Sequence, residues 1–285
     1  MLPLQYRTRP ISLATQHGKQ RAVARPFRAA LGLEVVVPPG LDTDSLGTFT
    51  GERPRPGTAM ATCLAKARLG MAASGLPLGL ANEGSFGPHP AVPFMPAGIE
   101  RMAFIDAERD LVITETLLSA RTNHGHRQVA SLAALQAWLP VVGFPSHALI
   151  VKRTGSGGDA VIAKGLTCVE QLAAAIAQAC ALSDAGTAWV ETDMRAHLNP
   201  TRMASIRALA FKLARRVATP CPACGAPGWG ATGALDGLPC EDCGGASTLV
   251  RCEVFSCVAC THREERPRRD GLQRAAARYC LQCNP

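Results

Sequence analysis

The chain has 285 residues, of which 47% are hydrophobic, and a formal net charge of +8. This length suffices for one sizeable core and a small satellite module. No apolar run approaches membrane-spanning length, and residues 1–30 carry six basic residues without an uninterrupted apolar core, which disfavours a secretory signal. We therefore expect a cytoplasmic protein that does not bind a membrane.

Residues 1–218 alternate between strand and helix patterns, and this alternation predicts an α/β fold whose sheet is mixed or mostly parallel and flanked by helices. The predicted elements, in chain order, are a strand at 11–15, a helix at 18–31, a buried strand at 33–37, a helix at 58–74, strands at 76–81, 102–105 and 110–117, a helix at 131–139, a strand at 147–153, a helix at 167–182, a strand at 188–191 and a helix from residue 200 to about 217. Asn199 is the predicted N-cap of the last helix, and Pro200 suits its first turn.

The composition changes near residue 219. The remaining residues are rich in glycine, proline and cysteine without periodicity, which predicts a module held together by metal and not by a core of its own. We therefore expect a body at 1–218 and a small C-terminal zinc-ribbon module at 219–285.

Four C-x-x-C pairs fall within this module, at Cys221 and Cys224, Cys240 and Cys243, Cys257 and Cys260, and Cys280 and Cys283. Each pair points two thiolates at one place, and a tetrahedral zinc ion takes two pairs, so the tail predicts two structural Zn²⁺ ions. Gly225 and Gly244 follow the first two pairs, where the backbone often takes a positive φ.

The spacing leaves open which pairs combine. Sequential pairing gives C-x2-C-x15-C-x2-C followed by C-x2-C-x19-C-x2-C, whereas nested pairing joins the outer pairs to each other and the inner pairs to each other. Sequential pairing is the favoured prediction, since both of its spacings are ordinary for zinc ribbons.

Polar clusters in the body follow predicted strands, where open α/β sheets bind ligands. Glu83 comes directly after an apolar run and is the first choice for a Mg²⁺ ligand, because hard cations prefer carboxylate oxygens. Residues 15–19 and 191–202 each lie between a strand end and a helix start, where free backbone N–H groups suit a phosphate. The candidate catalytic residues are Glu83, Asp193 and Asp44, and the candidate substrate-binding residues are Thr15, His17, Gly18, Lys19, Lys66, Arg195, Asn199 and Arg202.

Two resemblances follow from these motifs. The combination of A-T-Q-H-G-K, D-T-D-S-L-G-T-F-T-G-E, E-G-S-F-G-P-H-P and E-T-D-M-R-A-H-L-N-P-T-R with the cysteine pairs resembles an uncharacterised bacterial family known only as a domain of unknown function. In order along the body come Thr15-x-x-Gly18-Lys19, Gly47-Thr48-Phe49 with Lys66-Ala67, Asn82-Glu83-Gly84-Ser85, and Thr201-Arg202. Through these residues the body is also similar, more faintly, to inosine-triphosphate pyrophosphatases and their Maf-like relatives. That similarity implies phosphate contacts from Lys19 and Lys66, a metal contact from Glu83 and a nucleotide contact from Arg202.

Two functions fit this sequence. The first is a nucleotide-binding protein or phosphohydrolase that uses Mg²⁺ or Mn²⁺ and acts on a phosphorylated small molecule. The second is a non-catalytic zinc-ribbon adaptor for nucleic acid or a protein partner. The tail holds seven arginines against seven acidic residues, so the basic excess lies in the body.

Overall fold

The computed structural model describes residues 6–47, 57–155 and 160–285, apart from the side chain of Asp44. These residues form α-helices at Gln20–Leu31 (α1), Ala59–Ser74 (α2), Val169–Ala181 (α3) and Pro200–Ala218 (α4). The strands are Pro10–Ala14 (β1), Glu34–Val36 (β2), Leu78–His89 (β3), Val92–Asp106 (β4), Leu111–Ser119 (β5), His126–Val129 (β6), Leu149–Arg153 (β7), Ala160–Leu166 (β8), Ala188–Thr192 (β9), Gly230–Asp236 (β10), Val250–Ser256 (β11) and Arg263–Pro267 (β12). The predicted α/β class is confirmed.

A mixed five-stranded sheet has the order β2-β1-β3-β4-β5. Strand β1 is parallel to both β2 and β3, and β3 is antiparallel to β4. Helix α2 packs on this sheet through small side chains, so that Cys63 and Ala67 lie against Ala14, Ala81 and Ala103. The prediction of a buried second strand is wrong, because β2 is an edge strand whose end residues are exposed.

The β3–β4 hairpin is longer than the sequence predicts. Residues 82–88, with two glycines and a proline, suggest a loop, yet β3 continues through them to His89 because β4 pairs with it along this whole length. Glu83 therefore lies inside a strand and not beyond its end, which corrects the prediction. The pairing with β1 stops at Ala81, and Asn82 is the next residue of β3.

A second, antiparallel sheet in the body has the order β6-β9-β7-β8. Helix α3 covers it, and Leu149, Val151, Leu172, Ile176 and Val190 are among the buried residues of this core. Strands predicted to share one sheet with β1 and β3 lie here instead. The predicted helix at 131–139 is a short 3-10 turn, Leu132–Leu135.

The tail contains a third sheet, with the antiparallel order β10-β11-β12. Residues Trp229, Leu238, Val254 and Ala275 are buried in the tail. Metal ligation is therefore accompanied by a small apolar interior.

The chain divides into two compact units, one formed by residues 1–110 and 114–213, the other by 111–113 and 214–285. This division falls inside α4, whereas the composition predicts a boundary after Ala218 at its end. None of the described helices is apolar over a length that would cross a membrane.

Candidate metal centres and candidate anion site

The eight tail cysteines form two groups of four. Cys221, Cys224, Cys257 and Cys260 make the first group, and Cys240, Cys243, Cys280 and Cys283 make the second; in each, the Sγ atoms lie within 4.8 Å of one another. The measured Sγ–Sγ separations are 3.9 and 3.7 Å in the first group and 3.9 and 3.6 Å in the second. A tetrahedral ion with Zn–S bonds of about 2.3 Å requires sulfurs about 3.8 Å apart, so each group could hold one structural zinc ion.

The pairing is interleaved, so both the sequential and the nested predictions are wrong. The first pair precedes β10 and the third follows β11, and antiparallel pairing of Gly230 with Ser256 brings these two pairs to one end of the sheet. The second pair follows β10 and therefore lies at the other end. In sequential pairing, one ion would have to bind the first and second pairs, which lie at opposite ends of β10. In nested pairing, one ion would have to bind the second and third pairs, which lie at opposite ends of β11.

The cysteine turns have the predicted backbone. Gly225 has φ +73° and Gly244 has φ +72°, and their N–H groups donate to the carbonyls of Cys221 and Cys240, respectively. The N–H of Gly245 points at Cys243 Sγ over 3.4 Å. Such donors stabilise a thiolate, which is the form that binds metal.

Lys19 lies where β1 leaves the sheet and α1 begins. Its Nζ donates to the carbonyl oxygen of Asn82 over 2.7 Å, directly beyond the last β1–β3 pair. The side chain is buried. Burial is the main cause that lowers the pKa of Lys19 to about 8, and repulsion from Arg202 is the second. The carboxylates of Glu83 and Glu100 raise the pKa and so offset part of this shift. Lys19 is therefore electrostatically coupled to two nearby ion pairs, which are described next.

The first pair joins α2 to β3. Lys66 Nζ lies 2.8 Å from Glu83 Oε2, and both side chains are buried. Lys66 lies on the same face of α2 as Thr62, Cys63 and Gly70, which are also buried. Successive residues of a strand point to opposite faces, so Glu83 and its neighbour Gly84 face different sides of β3.

The second pair joins α4 to β4 on the opposite face. Arg202 Nε donates to Glu100 Oε1 over 2.7 Å, and Asn82 Nδ2 donates to Glu100 Oε2 over 2.9 Å. Glu100 pairs with Gly84 across the hairpin, and a Cβ on Gly84 would lie 2.7 Å from an Arg202 nitrogen and 2.8 Å from a Glu100 oxygen. Glycine is required here because the charged pair occupies the space of a side chain.

Glu100 is a residue that the sequence analysis did not identify. It is 2% exposed and lies within an apolar strand. The available signal was an acidic residue at a buried position of a strand, because such a carboxylate needs a cationic partner.

The loop between β9 and α4 holds the remaining candidates. Arg195 donates from Nε and Nη2 to both oxygens of the buried Asp193 carboxylate, with a shortest distance of 2.6 Å. Asn199 is the predicted N-cap, since its Oδ1 accepts from the N–H of Arg202 over 2.9 Å, and its Nδ2 donates to Asn123 Oδ1. The side chains of Asp193 and Asn199 therefore hold this loop together.

Two histidines lie at the outer side of Lys19. The rings of His17 and the exposed His197 stack with centroids 5.2 Å apart. Burial and then the charge of Lys19 lower the pKa of His17 to about 3; burial and then Arg195 also lower the pKa of His197. Gly18 has φ +66°, and Thr15 Oγ1 accepts from the N–H of His17 over 3.2 Å.

Lys19 is electrostatically coupled to two buried pairs on opposite faces of the β3–β4 hairpin, Lys66–Glu83 and Arg202–Glu100, and we call these five residues the charged cluster. Arg202 is part of it although α4 follows a strand of a different sheet from β1 and β3. Asp44 lies in a 3-10 turn, Asp44–Leu46, and its side chain is outside the described residues, as are Thr48 and Phe49 of the predicted loop motif.

The charged cluster does not provide a ready Mg²⁺ site. Among the described residues, the two cysteine groups are the ones in which three or more His, Cys, Asp or Glu ligand atoms lie close enough to share an ion. Glu83 is paired with Lys66, and Asp193 with Arg195. A divalent ion would have to bring most of its ligands with it.

The sequence matches a family model described as "Domain of unknown function (DUF6671)" over residues 66–285, which is most of the chain. The matched region includes both cysteine groups, Lys66, Glu83, Glu100 and Arg202, whereas Lys19 lies before it. Comparison with curated proteins finds no match.

Proposed function

Since the chain belongs to this family of unknown function, we propose from its side-chain chemistry that the body binds the phosphate groups of a small molecule, with a nucleotide as the favoured ligand. The tail is a structural module in this proposal. The observation that carries it is the charge balance of the charged cluster, in which three cationic side chains face two carboxylates.

This balance is unusual because the side chains are buried. Lys19 and Lys66 are each 5% exposed and Arg202 is 2% exposed. A surplus positive charge away from water is costly, and the lowered pKa of Lys19 is one expression of that cost. A phosphate oxygen beside Lys19 would offset the surplus charge.

The surroundings of Lys19 support an anion at this position. The helix α1 starts at Gln20 with no acidic residue in its first turn, so its positive end is not neutralised by a neighbouring carboxylate of the helix. Arg195 and the histidine pair add donors on the outer side. We assign the phosphate contacts to Lys19, His17 and His197. The buried cations Lys66 and Arg202 add positive electrostatic potential without contacting the phosphate.

The resemblance to pyrophosphatases extends the proposal to hydrolysis. In that reaction water attacks the α-phosphorus, the P–O bond to the leaving pyrophosphate breaks, and a proton of the water passes to a base, for which Glu83 is the candidate. Because the described residues do not form a protein-held Mg²⁺ or Mn²⁺ site, a divalent ion would enter with the nucleotide phosphates, as is common for Mg²⁺.

A nucleic-acid adaptor is less favoured for the tail. Five of its seven arginines form ion pairs with acids of the same module, including Arg266 with Glu264 over 2.8 Å and Arg268 with Asp270 over 2.5 Å. A surface that binds phosphate backbones needs a basic excess, and the tail has none.

The test is calorimetric titration of the full zinc-loaded chain with phosphate, pyrophosphate, tripolyphosphate and nucleoside triphosphates, each with and without Mg²⁺, together with phosphate-release assays. Lys19→Met keeps much of the side-chain bulk and removes the charge. We expect it to weaken polyphosphate binding roughly 10- to 100-fold, the scale of one charge-assisted hydrogen bond.

Arg28→Met is the matched control, because it removes one exposed positive charge from the same helix, near the opposite end. It should bind polyphosphate like the unaltered chain. Equal affinities for the Lys19 and Arg28 variants, or no polyphosphate binding by the unaltered chain, would refute the proposal.

A further inference from the structure

We propose that a groove in the body binds a planar heteroaromatic ring, the base of the nucleotide whose phosphates bind the charged cluster. This inference rests on the proposed function. The groove has a volume of about 360 Å³, within the range of small-molecule sites. It lies between the tip of the β3–β4 hairpin and the start of β6, and we call it the hairpin groove.

One wall of the hairpin groove is apolar and comes from the hairpin. It consists of Pro88 on β3 and Pro93, Phe94, Met95 and Pro96 on β4. Phe94 is 91% exposed, the most exposed of the large hydrophobic side chains described. An aromatic ring left in water at the edge of a groove gains contact area when a flat ligand lies against it.

The opposite wall is polar. It is formed by His124, Gly125, His126 and Arg127, and among the described residues none that lines the groove is Asp or Glu. The His126 ring is stacked on Trp189 with centroids 4.1 Å apart, which holds one imidazole in a fixed orientation. Imidazole and guanidinium N–H groups donate to ring nitrogens and carbonyls, which are the acceptors of a nucleobase.

Phe86 connects the hairpin groove to the charged cluster. The Arg202 guanidinium carbon lies 5.2 Å from the centre of the Phe86 ring, and that ring lies 6.0 Å from the His124 ring. Phe86 and Arg202 also line a small cavity with Glu100. Phe86 thus forms a continuous side-chain contact between the Arg202 end of the charged cluster and the His124 wall of the hairpin groove. In this proposal the base lies in the groove and the phosphates extend from it towards the charged cluster.

A heteroaromatic ring fits this pair of walls better than an aliphatic group. The apolar wall offers a face for stacking, and the opposite wall offers hydrogen-bond donors, and a base has both a flat face and acceptors along its edge. Stacking of a base on an aromatic side chain is sequence-tolerant, so the groove favours rings as a class over one particular base.

The experiment compares the affinities of the chain for tripolyphosphate and for nucleoside triphosphates. Both ligands have three linked phosphates, but only the nucleoside triphosphates carry a base. The unaltered chain should bind the nucleoside triphosphates about 5- to 100-fold more tightly, the effect of stacking one base. Phe94→Ala should remove most of this difference and leave tripolyphosphate affinity unchanged. Phe94→Leu, which retains apolar area without an aromatic ring, should fall between the two.

Leu182→Ala is the control, because Leu182 is an exposed apolar residue at the end of α3 that does not line the groove. It should behave like the unaltered chain. Circular dichroism should show that the Phe94 variants are folded, as expected for an exposed position.

The two proposals fail in different ways. If tripolyphosphate and nucleoside triphosphates bind equally tightly, or if Phe94→Ala weakens both to the same extent, the ring site is refuted while phosphate binding stands. If no polyphosphate or nucleotide binds, both proposals are refuted. Capture of a peptide aromatic side chain in place of a nucleotide would also overturn the ring assignment made here.

Discussion

The tail and the body both bring charged groups together, but they balance that charge in opposite ways. In the tail, four thiolates surround each candidate zinc position, and several of them are exposed, including Cys224, Cys243 and Cys283. In the body, the charged cluster is buried and pairs cations with carboxylates directly, as in the Arg202–Glu100 contact of 2.7 Å.

This difference determines what each region depends on. Thiolates near one another repel unless a cation lies between them, so the fold of the tail is coupled to its metal. The body buries larger apolar cores beneath α2 and α3, and its charged cluster costs free energy that those cores must offset. Loss of metal should therefore affect the tail far more than the body.

The largest expected effect comes from removing ligands in chosen pairs. The unaltered chain should contain two zinc ions. Cys224→Ser with Cys257→Ser should keep one ion, because both substitutions fall in the same group, whereas Cys224→Ser with Cys240→Ser should lose both. Elemental analysis after dialysis against a zinc chelator measures this directly, because a site that has lost a thiolate holds zinc less tightly than an intact site, whose apparent binding free energy is about 10–16 kcal/mol.

The same comparison separates the three possible pairings. Sequential pairing would give the reverse result for the two double variants, and nested pairing would remove both ions from each. Cys168→Ser is the control, since Cys168 lies in the body outside both groups, and it should retain two ions.

A smaller effect is expected from breaking the charged pair in the body. Arg202→Met removes the hydrogen-bonded cation from the buried Glu100 carboxylate, which keeps its hydrogen bond from Asn82, and this should reduce the free energy of unfolding by about 3–5 kcal/mol. In the tail, Arg251→Met removes an exposed ion pair with Glu265, and should cost about 0–1 kcal/mol. Urea denaturation of the zinc-loaded proteins measures both; similar losses would show that burial does not distinguish the two regions.

The smallest effect concerns pH. The pKa of Lys19 is lowered from 10.5 to about 8 in the folded chain, so between these values the unfolded chain binds more protons at this residue. The free energy of unfolding should therefore rise with pH across this window, by up to ~3 kcal/mol, and this contribution should be absent below pH 8.

Lys19→Met should lack this rise. Between pH 8 and 10.5, the unaltered chain should therefore become more stable relative to the variant by up to ~3 kcal/mol in the free energy of unfolding. An unchanged difference would mean that Lys19 titrates at its ordinary value. Phosphate affinity of the unaltered chain should fall as pH rises above 8, because the neutral amine attracts an anion less.

Local patterns predicted several elements well. The last helix begins at Pro200 with Asn199 as its cap, and α2 begins after the Thr58 cap, whose side chain accepts from the N–H of Ala61. These signals depend on neighbouring residues only. The sequence predicted a β3 strand that is too short, because the glycines and proline in residues 82–88 favour a loop locally. Pairing with β4 overrides this local preference and extends the strand.

The candidate site shows the same limit. Lys19, Glu83 and Arg202 were identified by their positions near predicted strand ends and helix starts, and Lys19 is electrostatically coupled to both of the others, which lie in separate pairs. The predicted reason for their proximity was only partly right, because Glu83 lies within β3, and Arg202 lies in the first turn of α4, which follows a strand of the other sheet. Glu100 was missed, since its partner lies 102 residues away.

The amino-acid sequence by itself determined the chemistry of the tail: four C-x-x-C turns, each with its own backbone geometry, provide eight thiolates for two ions. Which turns share an ion was decided only by tertiary structure, because β10 and β11 carry the turns to opposite ends of an antiparallel sheet. Turn geometry is set over four or five residues by local sterics and hydrogen bonds. Strand pairing is set by contacts between distant segments, and no spacing along the chain records it.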